Sequence, residues 1–431
     1  MKVYKFGGAS VKDAHGIKNL TRILKHDKSR DFMIVVSAMG KMTNALESVL
    51  KSQCEEKIWT EAFEKIKDYH YKICRDLFSP DHDIFVRLQD AFKHLKERLQ
   101  QASLSRYDFH YDQVISEGEL LSTTIISSYL SASGISNTFL DAREVILTDS
   151  NFRSAQVNML RTSEAILQKV TQQKVVWVTQ GFIASDSHGQ TTTLGREGSD
   201  YSAAIFASAL QTTELTIWKD VDGVYNADPK IFKSVKLMEA LSYKEAVELA
   251  FYGASIIHPK TIRPLREKGI VLKVRSFYDM DHRGSLISNS AVPEIQETSV
   301  IVKKKQVLLS LTPKDFTFMD EKNMGIIFNL LSVYHHSINM IQNSAISFSI
   351  CVDENYAHFE SLKKALMEDY ALRYNTGQVL ITIRHFDEDL INRIESDLKI
   401  KMEQKNRSAY QLVIDESEFN DKLKELIERV L

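Results

Sequence analysis

An α/β fold on a mostly parallel sheet, followed by ferredoxin-like βαββαβ modules, is the architecture this sequence predicts. Two observations carry it. From residue 1 to about 280, short β-branched runs alternate with helix-period segments, the sequence form of successive βαβ units. Beyond about residue 295 the order becomes strand, helix, strand, strand, helix, strand, on the scale of a small ferredoxin-like module. Across the 431 residues, 43% are apolar, enough for the cores of about two to four domains at roughly 100–200 residues each.

The strand candidates of the first part are Val3–Phe6, Phe32–Val36, Thr138–Asp141, Val175–Thr179, Leu215–Trp218 and Val271–Arg275. Between Thr43 and about Leu104, charged helix-period sequence such as Phe85-Val86-Arg87-Leu88-Gln89-Asp90-Ala91-Phe92 reads as a helical insertion. Ser116–Glu119 reads as a helix start. The uncharged run Leu120–Leu140 is long enough for a bilayer, but its Ser, Thr, Asn and Gly content predicts a packed helix followed by a turn. Ser242 and Glu245 form a capping box for a helix that Gly253 closes. The polar segment Asp281–Ser299 reads as a linker and divides the chain into 1–294 and 295–431. In the tail, Val307–Leu311, Ile338–Ile341, Ile346–Val352 and Val379–Ile383 are strand candidates. Met324–Tyr334, opening beside Gly325, and Phe359–Met367 are helical. Helical Leu390–Leu398, extended Tyr410–Ile414 and helical Phe419–Leu431 fit a second such module, with a short strand count.

Fifty-seven acidic against 55 basic side chains leave a charge of −2, which argues against a nucleic-acid partner. Lys303–Lys305, the only tight basic cluster, reads as a solvated strand end or linker. Three cysteines without CxxC spacing suggest neither a disulfide framework nor a zinc site. With no apolar leader before Val3, a cytoplasmic protein is expected. The 13 histidines show no metal-ligand spacing and read as structural or surface residues.

The candidate chemistry sits in glycine-flanked turns. Lys5 shares a strand face with Val3, where an ammonium is costly unless an anion meets it. Gly7 and Gly8 follow, in Lys5-Phe6-Gly7-Gly8-Ala9-Ser10, and let backbone N–H groups approach a phosphate. The spacing is not that of a Walker loop, and an edge-strand lysine before a tight turn explains it about as well. Thr193–Asp200 opens the helical Tyr201–Leu210, offering backbone donors and a positive helix end, with Arg196 suited to a carboxylate. Asp200 then either orients a lysine or metal, or completes the helix dipole as a first-turn acid. Trp218–Lys230 gathers acids, lysines and a tyrosine after a strand, where α/β sheets receive nucleotides; Asp, Asn and Pro also suffice for an ordinary turn. Cations, glycine turns and carboxylates are groups for positioning anions.

Taken in order, Lys5–Val11, Val36-Ser37-Ala38-Met39-Gly40 with Thr43-Asn44, Ser116–Glu119, Thr179-Gln180-Gly181-Phe182 running into Gly195–Asp200, Asp220–Pro229, and Phe251-Tyr252-Gly253-Ala254 with His258-Pro259 resemble the aspartokinases. The resemblance spans essentially the whole chain and is strongest over 1–290. The tail resembles their paired ACT modules, and the absence of a following dehydrogenase domain implies the monofunctional form. The fold implied is the amino-acid-kinase αβα sandwich. The activity implied is transfer of the ATP γ-phosphoryl group, with Mg²⁺, to the side-chain carboxylate of L-aspartate, toward lysine, threonine and methionine.

By resemblance, Lys5 and Asp200 are catalytic. Ser37, Thr43, Glu119, Arg196 and Ser199 hold aspartate, with Arg196 on its α-carboxylate and Glu119 on its ammonium. Lys5, Gly7, Gly8, Ser10, Lys219, Asp220, Tyr225 and Lys230 hold the nucleotide, and no residue is assigned to a metal. Ala9, Glu197 and Lys230 depart from the usual Thr, Gly and Arg. Ser255 stands where some relatives carry an ATP-contacting lysine, for which Lys260 is a substitute. An effector pocket around Asn339, Met340 and Ser344 is implied, with an amide at 339 where lysine-responsive relatives have an acid; lysine or threonine would be the effector. A homodimer through the ACT modules is expected, with no membrane partner. Another amino-acid kinase, such as one acting on glutamate, is an alternative; it would lack the helical insertion. A non-catalytic amino-acid sensor is another, and it has no need of Lys5. The principal reading requires Lys5 and Arg196 to face one cleft.

Overall fold

The computed structural model describes residues 1–27, 29, 31–170, 175–254, 257–289, 297–315, 317–354 and 356–431. They fall into two compact units: Met1–Val224 with Leu237–Ala250 and Ser255–Val292, and Tyr225–Lys236 with Phe251–Ala254 and Pro293–Leu431. The expected division at 294/295 lies outside the described residues.

The first part of the chain runs β1 (Lys2–Phe6), α1 (Ala14–His26), β2 (Phe32–Val36), α2 (Met42–Cys54), α3 (Thr60–Leu77), α4 (Ile84–Gln100), α5 (Tyr107–Ala132), β3 (Asn137–Leu140), α6 (Met159–Lys169), β4 (Val176–Gln180), β5 (Ile183–Ser185), β6 (Thr191–Thr193), α7 (Gly198–Ala209), β7 (Glu214–Lys219), β8 (Ala240–Ser242), α8 (Tyr243–Tyr252), α9 (Pro259–Lys268), β9 (Val271–Ser276) and β10 (Ser285–Ser288). Eight strands form one sheet, β3-β4-β2-β1-β7-β9-β10-β8. All neighbours are parallel except β9 and β10. Each strand expected before residue 280 is present to within a residue at either end. β2, Phe-Met-Ile-Val-Val, is buried throughout, as a parallel strand covered on both faces must be. The helical insertion is α2, α3 and α4, and its Phe63, Leu88, Phe92 and Leu95 join the core of Phe6, Ile34 and Val36. At α8, the Glu245 N–H donates to Ser242 Oγ at 3.0 Å, and Gly253 closes the helix at a φ of 110°.

Three local readings are corrected. Ser116–Glu119 is not a helix start but lies in the middle of α5, a 26-residue helix. Gly118 is there for closeness: a Cβ on it would stand 3.1 Å from Ala38 Cβ and 3.2 Å from Leu46 Cδ1. The polar segment after Asp281 contains β10, which its hydrogen bonds to β8 and β9 stabilise despite its serines. Lys303–Lys305 is neither strand end nor linker: it lies within β11 (Ser299–Pro313), at a register shift, with Lys305 in the left-handed region.

After β11 come α10 (Glu321–Val333), β12 (Ile338–Asn343), β13 (Phe348–Asp353), α11 (Tyr356–Asp369), β14 (Tyr370–Arg384), α12 (Glu388–Asp397), β15 (Met402–Lys405), β16 (Ala409–Asp415) and α13 (Asp421–Glu428). α10 opens ahead of Gly325 because Asp320 caps it, accepting the Asn323 N–H at 2.9 Å. The strands make an antiparallel sheet, β12-β13-β11-β14-β16-β15. β11 and β14, of 15 residues each, serve both modules. Ser299–Lys303 of β11 pairs with the end of β14, which pairs with β16, so the second module borrows strands and the first is nested inside it. That sharing is why its strand count looks short in the sequence.

Candidate active site

Lys5 lies on β1 and Lys219 ends the adjacent parallel strand β7, with Lys5 opposite Ile217. From β1 the sheet grows to one side through β2 and β4, and later to the other through β7. Open α/β sheets bind ligands beyond the carboxyl strand ends at such a switch of direction. α7 starts there. Its first-turn Asp200, 4% exposed, places Oδ1 2.6 Å from Lys5 Nζ and Oδ2 4.0 Å from Lys219 Nζ. Burial pushes the Asp200 carboxyl up, but the two ammonium groups prevail and hold it below the ordinary carboxylate range. One carboxylate thus keeps two cations side by side.

A cavity of about 440 Å³ opens at this point. Lys5, Gly8, Ser37 and Thr43 line it together with Glu119 of α5 and with Arg196, Ser199 and Asp200. Lys5 and Arg196 therefore face one cleft, as the sequence reading requires. Glu119, 2% exposed, accepts the Ala38 N–H at 3.4 Å through Oε1, while its Oε2 is buried without a partner. Burial pushes this carboxyl up to about 8, the behaviour of an acid waiting for a cation. Arg196 is exposed to the cavity and makes no hydrogen bond or ion pair among the described residues.

The remaining expected residues are more dispersed. A Cβ on Gly7 would stand 3.4 Å from Lys5 Nζ, and Ser10 is buried with Oγ 3.5 Å from the Trp218 carbonyl. Asp220 is exposed just beyond β7. Tyr225 and Lys230 belong to the second unit, where the Lys230 N–H donates to Asp228 Oδ1 at 2.9 Å. Ser255 lies outside the described residues, and Lys260 lines a different cavity of about 490 Å³ with Tyr201 and Arg263. In the second unit, Asn339 Oδ1 accepts from Lys303 Nζ at 2.7 Å, and its Nδ2 donates to Gln306 Oε1 at 2.7 Å and Asp353 Oδ1 at 2.8 Å. Met340 is buried beside Leu308 and Cys351, and Ser344 Oγ lies 2.6 Å from Ser347 Oγ.

Sequence reasoning missed Tyr111 and Arg153 in the cavity wall and Asp112 behind it, and it named Phe182, also in the wall, only as part of a motif, with no role. Asp112 accepts the Thr193 N–H at 2.9 Å and hydroxyl at 2.6 Å and the Arg153 N–H at 3.0 Å. Burial outweighs these bonds and pushes its carboxyl up to about 6. Nothing in the local sequence marks it: Asp108, one turn earlier in α5, is an exposed acid of the same kind.

Residues 1–276 match the amino acid kinase family model. The chain therefore belongs to the amino acid kinase family. It is 30% identical over 371 residues to the aspartokinase of Chlamydia muridarum, covering 85% of this chain and 81% of that one. With the chloroplastic bifunctional aspartokinase/homoserine dehydrogenase 1 of Arabidopsis thaliana it shares 31% over 294 residues, 66% of this chain and 32% of the relative, so it spans about a third of that protein. Its fold matches that of E. coli aspartokinase III, solved with lysine and aspartate, at a TM-score of 0.83 and 25% identity over 100% of this chain and 99% of that one. Within the family the chain belongs with the aspartokinases. No helix among the described residues is long and apolar enough to cross a membrane.

Proposed function

We propose that the chain is an aspartate kinase, which moves the γ-phosphoryl group of ATP to the side-chain carboxylate of L-aspartate and yields 4-phospho-L-aspartate. One observation carries this reading: Lys5, held by Asp200, shares a cavity with the unpaired Arg196 and with the orphan oxygen of Glu119. An α-amino dicarboxylate meets each of them, its ammonium at Glu119, its α-carboxylate at Arg196 and its second carboxylate toward Lys5.

The attacking carboxylate, with an ordinary pKa of about 3.9, is ionised at neutral pH and needs no general base. The barrier lies in bringing two anions together and in the charge carried by the transferred group. Lys5 and Lys219 answer that charge from fixed positions, so little reorganisation accompanies transfer. Ser37, Thr43 and Ser199 supply hydroxyls to aspartate, and Gly8 in the cavity wall attends the phosphates; for Gly7 and Ser10 that role rests on the family resemblance alone. The roles of Asp220, Tyr225 and Lys230 at the nucleotide rest on the family resemblance. Among the described residues no group of three His, Cys, Asp or Glu can hold a metal. Mg²⁺, entering with the nucleotide, would neutralise part of the phosphates' charge. Division into a kinase domain (1–294) and an effector-binding, dimer-forming ACT region (295–431), responsive to lysine or threonine, completes the proposal. The edge position of β12, which carries Asn339, supports it.

The test is purified protein with ATP, Mg²⁺ and hydroxylamine. Aspartate-dependent hydroxamate is the expected product; a preference for glutamate, or amino-acid binding without turnover, overturns the reading.

A further inference from the structure

Three non-glycine residues of the cavity wall hold positive φ angles: Arg153 at 68°, Phe182 at 71° and Glu197 at 53°. Arg153 and Glu197 carry charge, and Arg153 is the cation of the two. A long L-residue is strained in that region, and strain of this kind persists only where the surrounding structure holds it. What holds it is buried Asp112, both of whose oxygens accept the Arg153 N–H, at 3.1 and 3.0 Å. The guanidinium lies 4.3 Å over the Tyr111 ring, itself part of the wall. Nη2 is 3.3 Å from Glu47 Oε1 and Nη1 is 3.4 Å from Asp108 Oδ1, with the side chain 41% exposed. The turn also abuts the one carrying Arg196: a Cβ on Gly195 would stand 3.3 Å from the Arg153 carbonyl oxygen.

We infer that Arg153 is a substrate-specificity residue, a second cation that takes the α-carboxylate together with Arg196 and sets how far a dicarboxylate extends toward Lys5. Its partners Glu47 and Asp108 are partly exposed carboxylates, and such pairs are weak, so the guanidinium exchanges onto a bound carboxylate at small cost. Its stack on Tyr111 survives the exchange. With the α-carboxylate gripped by two guanidinium groups and the ammonium by Glu119, the length of the substrate decides whether its second carboxylate meets the phosphoryl group. This rests on the aspartate-kinase reading.

The test is hydroxamate formation by wild type, R153G and R153Q with aspartate and with glutamate, alongside thermal melting. Glycine suits the left-handed backbone, so R153G is expected to melt no lower than wild type. Its aspartate KM should rise roughly ten- to a hundredfold, the worth of a charge-assisted hydrogen bond, with kcat within a few-fold and the preference for aspartate reduced. Should R153G melt lower, R153Q decides: it keeps a planar group over Tyr111 without the charge, and a raised KM supports the role while a wild-type KM removes it. An R153G enzyme of unchanged KM and preference overturns the inference alone. Wild type without aspartate turnover overturns the aspartate-kinase reading and this inference with it.

Discussion

Glu119 is a carboxylic acid placed where its charge has no protein partner. Its folded pKa lies above the ordinary value, so between about 4.5 and about 8 the folded chain holds a proton that the unfolded chain gives up. Stability from this group therefore declines as pH rises through that window, and a bound ammonium restores it. Glu119→Gln removes the buried charge and keeps the shape. Without aspartate, the variant should gain in melting temperature over wild type between pH 6 and pH 9, while its aspartate KM rises at least about tenfold; a constant difference in melting temperature would show that Glu119 does not titrate in this way. Lys5 and Arg196 divide the work differently. Lys5→Ala should lower kcat by about a hundredfold or more with nucleotide KM changed little, because its charge matters most as the phosphoryl group transfers. Arg196→Ala should act mainly on aspartate KM. Steady-state kinetics with each substrate varied checks both, and the reverse pattern would exchange the two roles.

At the scale of elements, two glycines show where local propensity and long-range packing disagree. Gly118 looks like a helix boundary in sequence, since glycine is a poor helix former, yet α5 runs through it because the bare Cα lets Ala38 and Leu46 come close. That approach is what brings the Ala38 N–H to Glu119. Gly181, just past β4, does the same for α7: a Cβ on it would stand 2.7 Å from Ser199 Cα. Gly181→Ala must push the start of α7 away, and Asp200 with it, from Lys5. A loss of kcat of at least about tenfold is expected, since a displacement near 1 Å can cost about a hundredfold; wild-type kcat in G181A would mean that the position of α7 is not critical.

For the whole molecule, the second unit draws on residues far from the tail. Phe232, 1% exposed, belongs to the core of Val300, Ile383, Phe419 and Leu423. Phe232→Ala should cost that unit roughly 3–5 kcal/mol. Calorimetry is expected to show two transitions, one of them lowered in F232A; a common shift of both would argue that the two units unfold as one. Sequence alone determined the strand–helix order, the helical insertion, and Lys5, Arg196 and Asp200 as a charge-handling set, because covered parallel strands read as unbroken apolar runs and glycine turns mark themselves. Tertiary structure alone decided β5 and β8, too short to show a period, the mostly polar β15, the borrowing of β11 and β14 by the second module, and the arrival of Arg153 at the cavity. That arginine is placed by Asp112, 41 residues earlier, so its role has no local sequence signal. The order of residues states which charges exist; which of them meet follows only from long-range packing.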